Sequence, residues 1–135
     1  MTEVIKLLEY AEALGHQFYL EGDNLRITRG KHLPGYLKTH IVDHKQGLIE
    51  SLRRDEQAQS IGFMVGISGL LYNQSVSRYS EAYIELIDNK WHAWRETYHK
   101  GRKKAISTKV IAEVNTFEEV IKKAERYLLY VNKMR

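Results

Sequence analysis

His40 and His44 stand four residues apart, and two imidazoles at that spacing on a helix can share a metal ion, with Asp43, His92 or His99 as further ligands. Helix-borne peptidase sites place a general-base glutamate directly after the first histidine, whereas here that neighbour is Ile41. His44 also continues the apolar spacing of Leu37, Ile41 and Leu48, which suits a packed or capping histidine better than a ligand. Cysteine is absent, so no thiolate nucleophile, thiolate metal site or disulfide framework can form. Gly62, Gly66 and Gly69 are not followed by the Lys-Ser/Thr of a phosphate loop, and no serine sits in a nucleophile elbow. The expectation is a protein that is not an enzyme and holds no metal and no cofactor.

The remaining chemistry is that of recognition. Lys90, Trp91, Trp94 and Arg95, followed by Lys100, Arg102, Lys103 and Lys104, set cations beside aromatic rings. Sheet surfaces hold nucleic acid with such residues, by stacking bases and attracting phosphates. Strand alternation divides the group. Trp91, Ala93 and Arg95 fall on one face and His92, Trp94, Glu96 and Tyr98 on the other, so one tryptophan belongs to the core. Charge is uneven along the chain: residues 1–54 carry +1, residues 55–87 carry −3 and residues 88–135 carry +6. A cationic end can meet nucleic acid or an acidic partner, or merely solubilise, and net charge does not choose among these.

The elements that must position these residues follow from spacing. With 135 residues, 43% hydrophobic and 28% charged, the chain can bury a core but not build a large multidomain enzyme. Val4, Leu7, Leu8, Ala11 and Leu14 share a helical face that Gly15 ends. His16–Leu20 and Leu25–Arg29 flank Glu21-Gly22-Asp23-Asn24 as a hairpin. Pro34 opens a helix continuing through Leu37, Ile41, His44, Leu48, Ile49 and Leu52, with a break near Lys38 and a polar close at 53–57. The alternation of Ile61, Phe63, Val65, Ile67 and Leu71 with Gly62, Met64, Gly66 and Ser68 predicts a strand, with a helix as the alternative that its three glycines disfavour. The polar stretch Asn73–Ser80 predicts a loop. Ala82–Ile87, Trp91–Tyr98 and Ile106–Val114 are three strands, the first two joined by Asp88-Asn89. Thr116 and Glu119 form a capping box for a helix whose apolar face is Phe117, Val120, Ile121, Ala124, Leu128 and Val131. The fold class is α+β: an αββα(α) module over residues 1–54, a linker or strand segment over 55–80, and a basic βββα module over 81–135. The alternative is one continuous sheet. The N-terminus has neither signal-peptide nor transit-peptide character, and the longest apolar stretch, Ile61–Tyr72, is too short to span a bilayer, so the expected setting is cytoplasmic without membrane contact.

Residues 1–54 resemble the N-terminal docking domain of the tubulysin-synthetase type, a dimeric αββαα module at the start of nonribosomal peptide synthetase subunits. The resemblance is carried by Leu7-Leu8, Gly15, Phe18-Tyr19-Leu20, the run Glu21-Gly22-Asp23-Asn24-Leu25-Arg26, Pro34, Leu37, Ile41, His44-Lys45 and Leu48-Ile49. Leu20–Arg26 is its most distinctive part, and residues 55–135 lie outside it. Related modules also occur in proteins of bacterial mobile elements. The resemblance implies a homodimer that captures a short peptide of a protein partner along the second hairpin strand, and the charges of Arg26, Arg29 and Lys31 favour an acidic one. The residues implied in that contact are Leu25, Arg26, Ile27, Arg29 and Lys31. A small nucleic-acid-binding accessory protein acting through the C-terminal basic sheet is the alternative.

Overall fold

The computed structural model describes residues 2–101 and 103–134. The chain divides into two compact units, residues 1–56 and 57–135. Among the described residues there are four α-helices and two antiparallel sheets of two and five strands, an α+β architecture.

The first unit runs α1 (Thr2–Ala13), β1 (Phe18–Glu21), β2 (Asn24–Ile27), a short 3-10 turn (Gly30–His32), α2 (Gly35–Asp43) and most of α3 (Lys45–Ser60). Helix α1 ends where Gly15 turns the chain at φ +87; the His16 amide then reaches back to the Ala11 carbonyl at 2.9 Å and the Gly15 amide to Glu12 at 2.9 Å. The end of α3 repeats this device with Gly62 at φ +94 and the Phe63 amide on the Ala58 carbonyl at 3.0 Å. Val4, Leu7, Ala11, Leu37 and Leu48 form the core of this unit, with Phe18 and Leu25 of the hairpin packed against it. The helix expected after Pro34 is two helices. Its break falls at His44 and not near Lys38, and the polar run 53–57 continues α3 instead of closing it.

Helix α3 approaches α1 at Gly47, where an added Cβ would come within 2.7 Å of Val4 Cγ2. Val4 is only 6% exposed, and its branched side chain has little room to rotate. Replacing glycine by alanine in a helix gains about 1 kcal/mol, while overpacking costs roughly 1–3 kcal/mol. Gly47→Ala is therefore expected to lower the denaturant midpoint, with a net loss on the order of 1 kcal/mol. A raised midpoint would show that the two helices separate freely.

The second unit is an antiparallel meander in the order β3 (Met64–Ile67), β4 (Leu71–Ser77), β5 (Ser80–Ile87), β6 (Lys90–Tyr98) and β7 (Ala105–Val114), followed by α4 (Phe117–Lys133). The polar stretch expected as a loop is therefore most of β4 and a turn at Arg78-Tyr79. Asp88 and Asn89 join β5 to β6 at φ 49 and 65, the double positive φ of a type I′ turn, in residue types that tolerate it. Thr116 caps α4 by accepting the Glu119 amide at 3.2 Å, while its hydroxyl donates to the Glu119 carboxylate at 3.0 Å. Phe117, Val120 and Ala124 of α4 are buried in one core with Tyr72, Val76, Ala82, Ile84, Trp91, Ala93 and Ala112 of the sheet, and Ile121, Leu128 and Val131 pack around it. Strand alternation then puts Asn73, Glu81, Tyr83, Glu85, His92, Trp94 and Glu96 on the opposite, open face.

Candidate functional site

The hairpin presents a free strand edge. Phe18 pairs with Ile27, Tyr19 with Arg26, Leu20 with Leu25 and Glu21 with Asn24, and the sheet ends there on both sides among the described residues. The Thr28 amide donates to the Gln17 carbonyl at 2.9 Å, which sets the hydrogen-bonding alternation. By that alternation Asn24 and Arg26 turn their backbone groups toward β1. The backbone of Leu25 and the amide of Ile27 lie on the outer side. Added strands use such groups.

His16 holds the base of this hairpin. It is 3% exposed, and its Nδ1 lies 2.8 Å from the Thr28 carbonyl oxygen. The Thr28 hydroxyl accepts the Gln17 amide at 2.8 Å. Sequence reasoning treated His16 as an ordinary strand residue, and its helix-ending neighbour Gly15 was the available signal that the chain turns inward there.

The five residues implied in peptide capture have different surroundings. Leu25 packs on the core of the unit, and Ile27 is half-buried, so these two offer backbone more than side chain. Arg26 is exposed on the outer face and pairs loosely with Glu21 at 3.7 Å. Arg29 lies beyond the strand, which stops at Ile27 instead of running to Arg29; its φ is 55, and its Nη1 would meet a side chain at Gly15 at 2.9 Å. Lys31 is exposed on the following turn. Three exposed cations, Arg26, Arg29 and Lys31, thus lie along and just beyond the free edge in sequence, Arg29 with its guanidinium turned toward Gly15.

The basic aromatic group does not share one surface. Trp91 is 5% exposed and meets Phe117 edge-on, with ring centroids 4.8 Å apart. It has no open ring for a base to stack on. Arg95 lies on the same, helix-covered face, donating to Ser80 Oγ at 3.0 Å and to the Tyr127 hydroxyl at 3.1 Å. Trp94 is on the open face, stacked on Tyr83 at 5.2 Å. Lys90 is exposed at one end of β6, and Lys100, Lys103 and Lys104 are exposed near the β6–β7 turn. Arg102 lies outside the described residues.

Known protein families, characterised proteins and solved structures offer no match to this chain.

His40 and His44 line a groove of about 410 Å³ between α1 and α2, with Glu3, Lys6, Tyr10 and Tyr36. The Tyr10 and Tyr36 hydroxyls bond at 2.6 Å, which raises the Tyr36 phenol above its ordinary value. Among the described residues, no three histidine or carboxylate side chains gather closely enough to hold a metal ion. No helix among them is long and apolar enough to cross a membrane.

On the open face, Glu96 accepts from Trp94 Nε1 at 3.2 Å and from the Tyr98 hydroxyl. The bond to Glu96, followed by contact with Tyr83 and by burial, holds the Tyr98 phenol above the ordinary tyrosine value of 10. Only the protonated phenol can donate this bond. Its contribution to stability is thus fully present below pH 10 and is lost as pH climbs through the raised value. In an absorbance titration, the difference between the native chain and Tyr98→Phe is expected to reveal a phenol that ionises after the other tyrosines. A difference centred at or below pH 10 would contradict the bond.

Proposed function

We propose that this chain is a non-catalytic docking protein that takes up a short acidic peptide of a protein partner by strand addition along β2. The observation that carries this reading is the unpaired outer edge of β2 within a sheet of only two strands. Backbone bonding along that edge would supply affinity, and Arg26 and Lys31 would select an acidic sequence. The αββαα order of the first unit supports the same reading, because it is the order that the resembled docking modules have. A homodimer suits the proposal, since a unit of this size buries little surface alone. The nucleic-acid alternative has less behind it. Trp91 is buried, Arg95 is engaged on the helix-covered face, and the half-buried Trp94 has Glu96 beside it and Glu81, Glu85 and Glu113 on neighbouring positions of its face, which repel phosphate.

The decisive experiment is an NMR titration of the full chain with acidic peptides. The amide signals of residues 24–29 are expected to move, those of Leu25 and Ile27 most. If these signals stay still while acidic peptides are raised to millimolar concentration, strand addition at β2 is wrong.

A further inference from the structure

The open face of the five-stranded sheet carries three cross-strand rows. In register, Glu81 pairs with Glu96 and Glu96 with Thr108; Tyr83 pairs with Trp94 and Trp94 with Val110; Glu85 pairs with His92 and His92 with Glu113. Neighbouring rows are two residues apart along β5 and β6, about 7 Å, while on β7 a bulge opposite Ala93 and Trp94 sets Val110 and Glu113 three residues apart. An aromatic and aliphatic row therefore runs between two rows that together hold four carboxylates, and none of these nine positions is a lysine or arginine.

The carboxylates are oriented without being neutralised. Glu81 accepts from Asn73 Nδ2 at 3.3 Å and Ser75 Oγ at 2.7 Å, and Glu96 accepts from Trp94 and Tyr98. These donors are uncharged, so they orient the two groups and leave the negative charge in place. Glu81 and Glu96 also stand directly opposite each other across the β5–β6 pair, an arrangement that costs a sheet stability unless a cation intervenes. Glu113 has His92 beside it at 3.6 Å. Among the described residues, no lysine or arginine forms an ion pair with any of the four.

Beside the central row lies a pocket of about 230 Å³, lined by Ile87, Trp94 and Val110 together with His92 and Glu113. Val110 is 60% exposed and Ile87 38%, so the pocket is open to solvent. Apolar walls with a carboxylate fit a side chain that is apolar along its stem and cationic at its tip. Arginine fits better than lysine, because its planar guanidinium stacks on an indole and can take a carboxylate through two parallel bonds.

We propose that this face binds an arginine-rich segment of a partner protein, with one arginine in the pocket between Trp94 and Glu113 and others reaching the Glu81–Glu96 pair. The proposal concerns a second surface, of opposite charge to the hairpin edge, and stands whether or not strand addition occurs at β2.

The test is an NMR titration of the full chain with an acetylated, amidated hexapeptide of alternating glycine and arginine, followed at the two indole N–H signals. The Trp94 signal is expected to move while that of buried Trp91 stays, and the amides of residues 24–29 report the other site separately. Glu113→Gln is expected to weaken binding by about fivefold or more, with the Trp91 signal unchanged as the sign of an intact fold. Glu85→Gln, at the far end of the same row, is expected to weaken it less. Several results would overturn the proposal. They are a still Trp94 signal at millimolar peptide, an equal response to the same peptide with glutamate for arginine, and no loss in Glu113→Gln. A Trp94 signal that shifts with protein concentration alone, and stops doing so in Glu113→Gln, would assign the face to a second copy of this chain instead. A shift of the Trp94 signal on adding duplex DNA alone, without peptide, would overturn it equally.

Discussion

Trp91→Ala is expected to destabilise the second unit by about 3–5 kcal/mol, the cost of emptying a buried indole site. Trp91 is 5% exposed, lies edge-on to Phe117 at 71°, and Phe117 in turn meets Tyr72 with ring centroids 6.0 Å apart. Removing the indole therefore leaves a void in the layer where α4 rests on the sheet. A typical domain has roughly 5–15 kcal/mol of stability in total, so this single change approaches unfolding. Trp94→Ala should cost less. It removes a half-buried ring and a stack on Tyr83 worth roughly 0.5–1.5 kcal/mol beyond the area covered, and it frees one oxygen of Glu96. Denaturant midpoints of the two variants test the difference, and Trp91→Phe supplies a graded substitute should the alanine variant not fold. Equal costs for the two alanine variants would mean that α4 does not cover the Trp91 face.

Charge reversal beside the hairpin edge is expected to have the largest effect on binding. Arg26→Glu together with Lys31→Glu should weaken an acidic peptide by on the order of tenfold to a hundredfold, since each tenfold is about 1.4 kcal/mol. Stability should barely change. The Arg26–Glu21 pair is separated by 3.7 Å, with both side chains at least half exposed, and such surface pairs contribute about 0–1 kcal/mol. Arg29 is left out of the test because its guanidinium lies against Gly15, where it shapes the exit from α1. A lysine-for-glutamate exchange in the peptide should restore binding to the doubly reversed variant, and higher salt should weaken the native pair. Calorimetry reads both. If the reversed variant binds the acidic peptide as tightly as the native chain, Arg26 and Lys31 do not select it.

Much of the fold was legible because it is locally determined. The Gly15 stop, the hairpin turn, the Asp88-Asn89 turn, the Thr116 cap and the apolar face of α4 each depend on a few neighbouring residues. Strand β4 escaped because its core-facing positions are Tyr72, Gln74 and Val76, with a bulge between Ser75 and Ser77. Gln74 satisfies its amide on the Ile61 carbonyl at 3.0 Å, so a polar residue occupies an inward position that an apolar pattern cannot reveal. The extension of α3 to Ser60 was hidden in the same way, since the buried positions at its middle include Ser51 and Asp55.

The site divides along the same line. Residue order alone determined that Trp91 and Trp94 face opposite ways and that β1 and β2 form a hairpin, because strand alternation and turn chemistry act over a few residues. Which tryptophan is buried was decided only when α4 returned, after β7, to cover one side of the sheet. The gathering of Glu81, Glu85, Glu96 and Glu113 around Trp94 likewise depended on three strands coming into register. Burial and charge environment arise from segments distant along the chain, and no local pattern states which of two faces they will cover or leave to a partner.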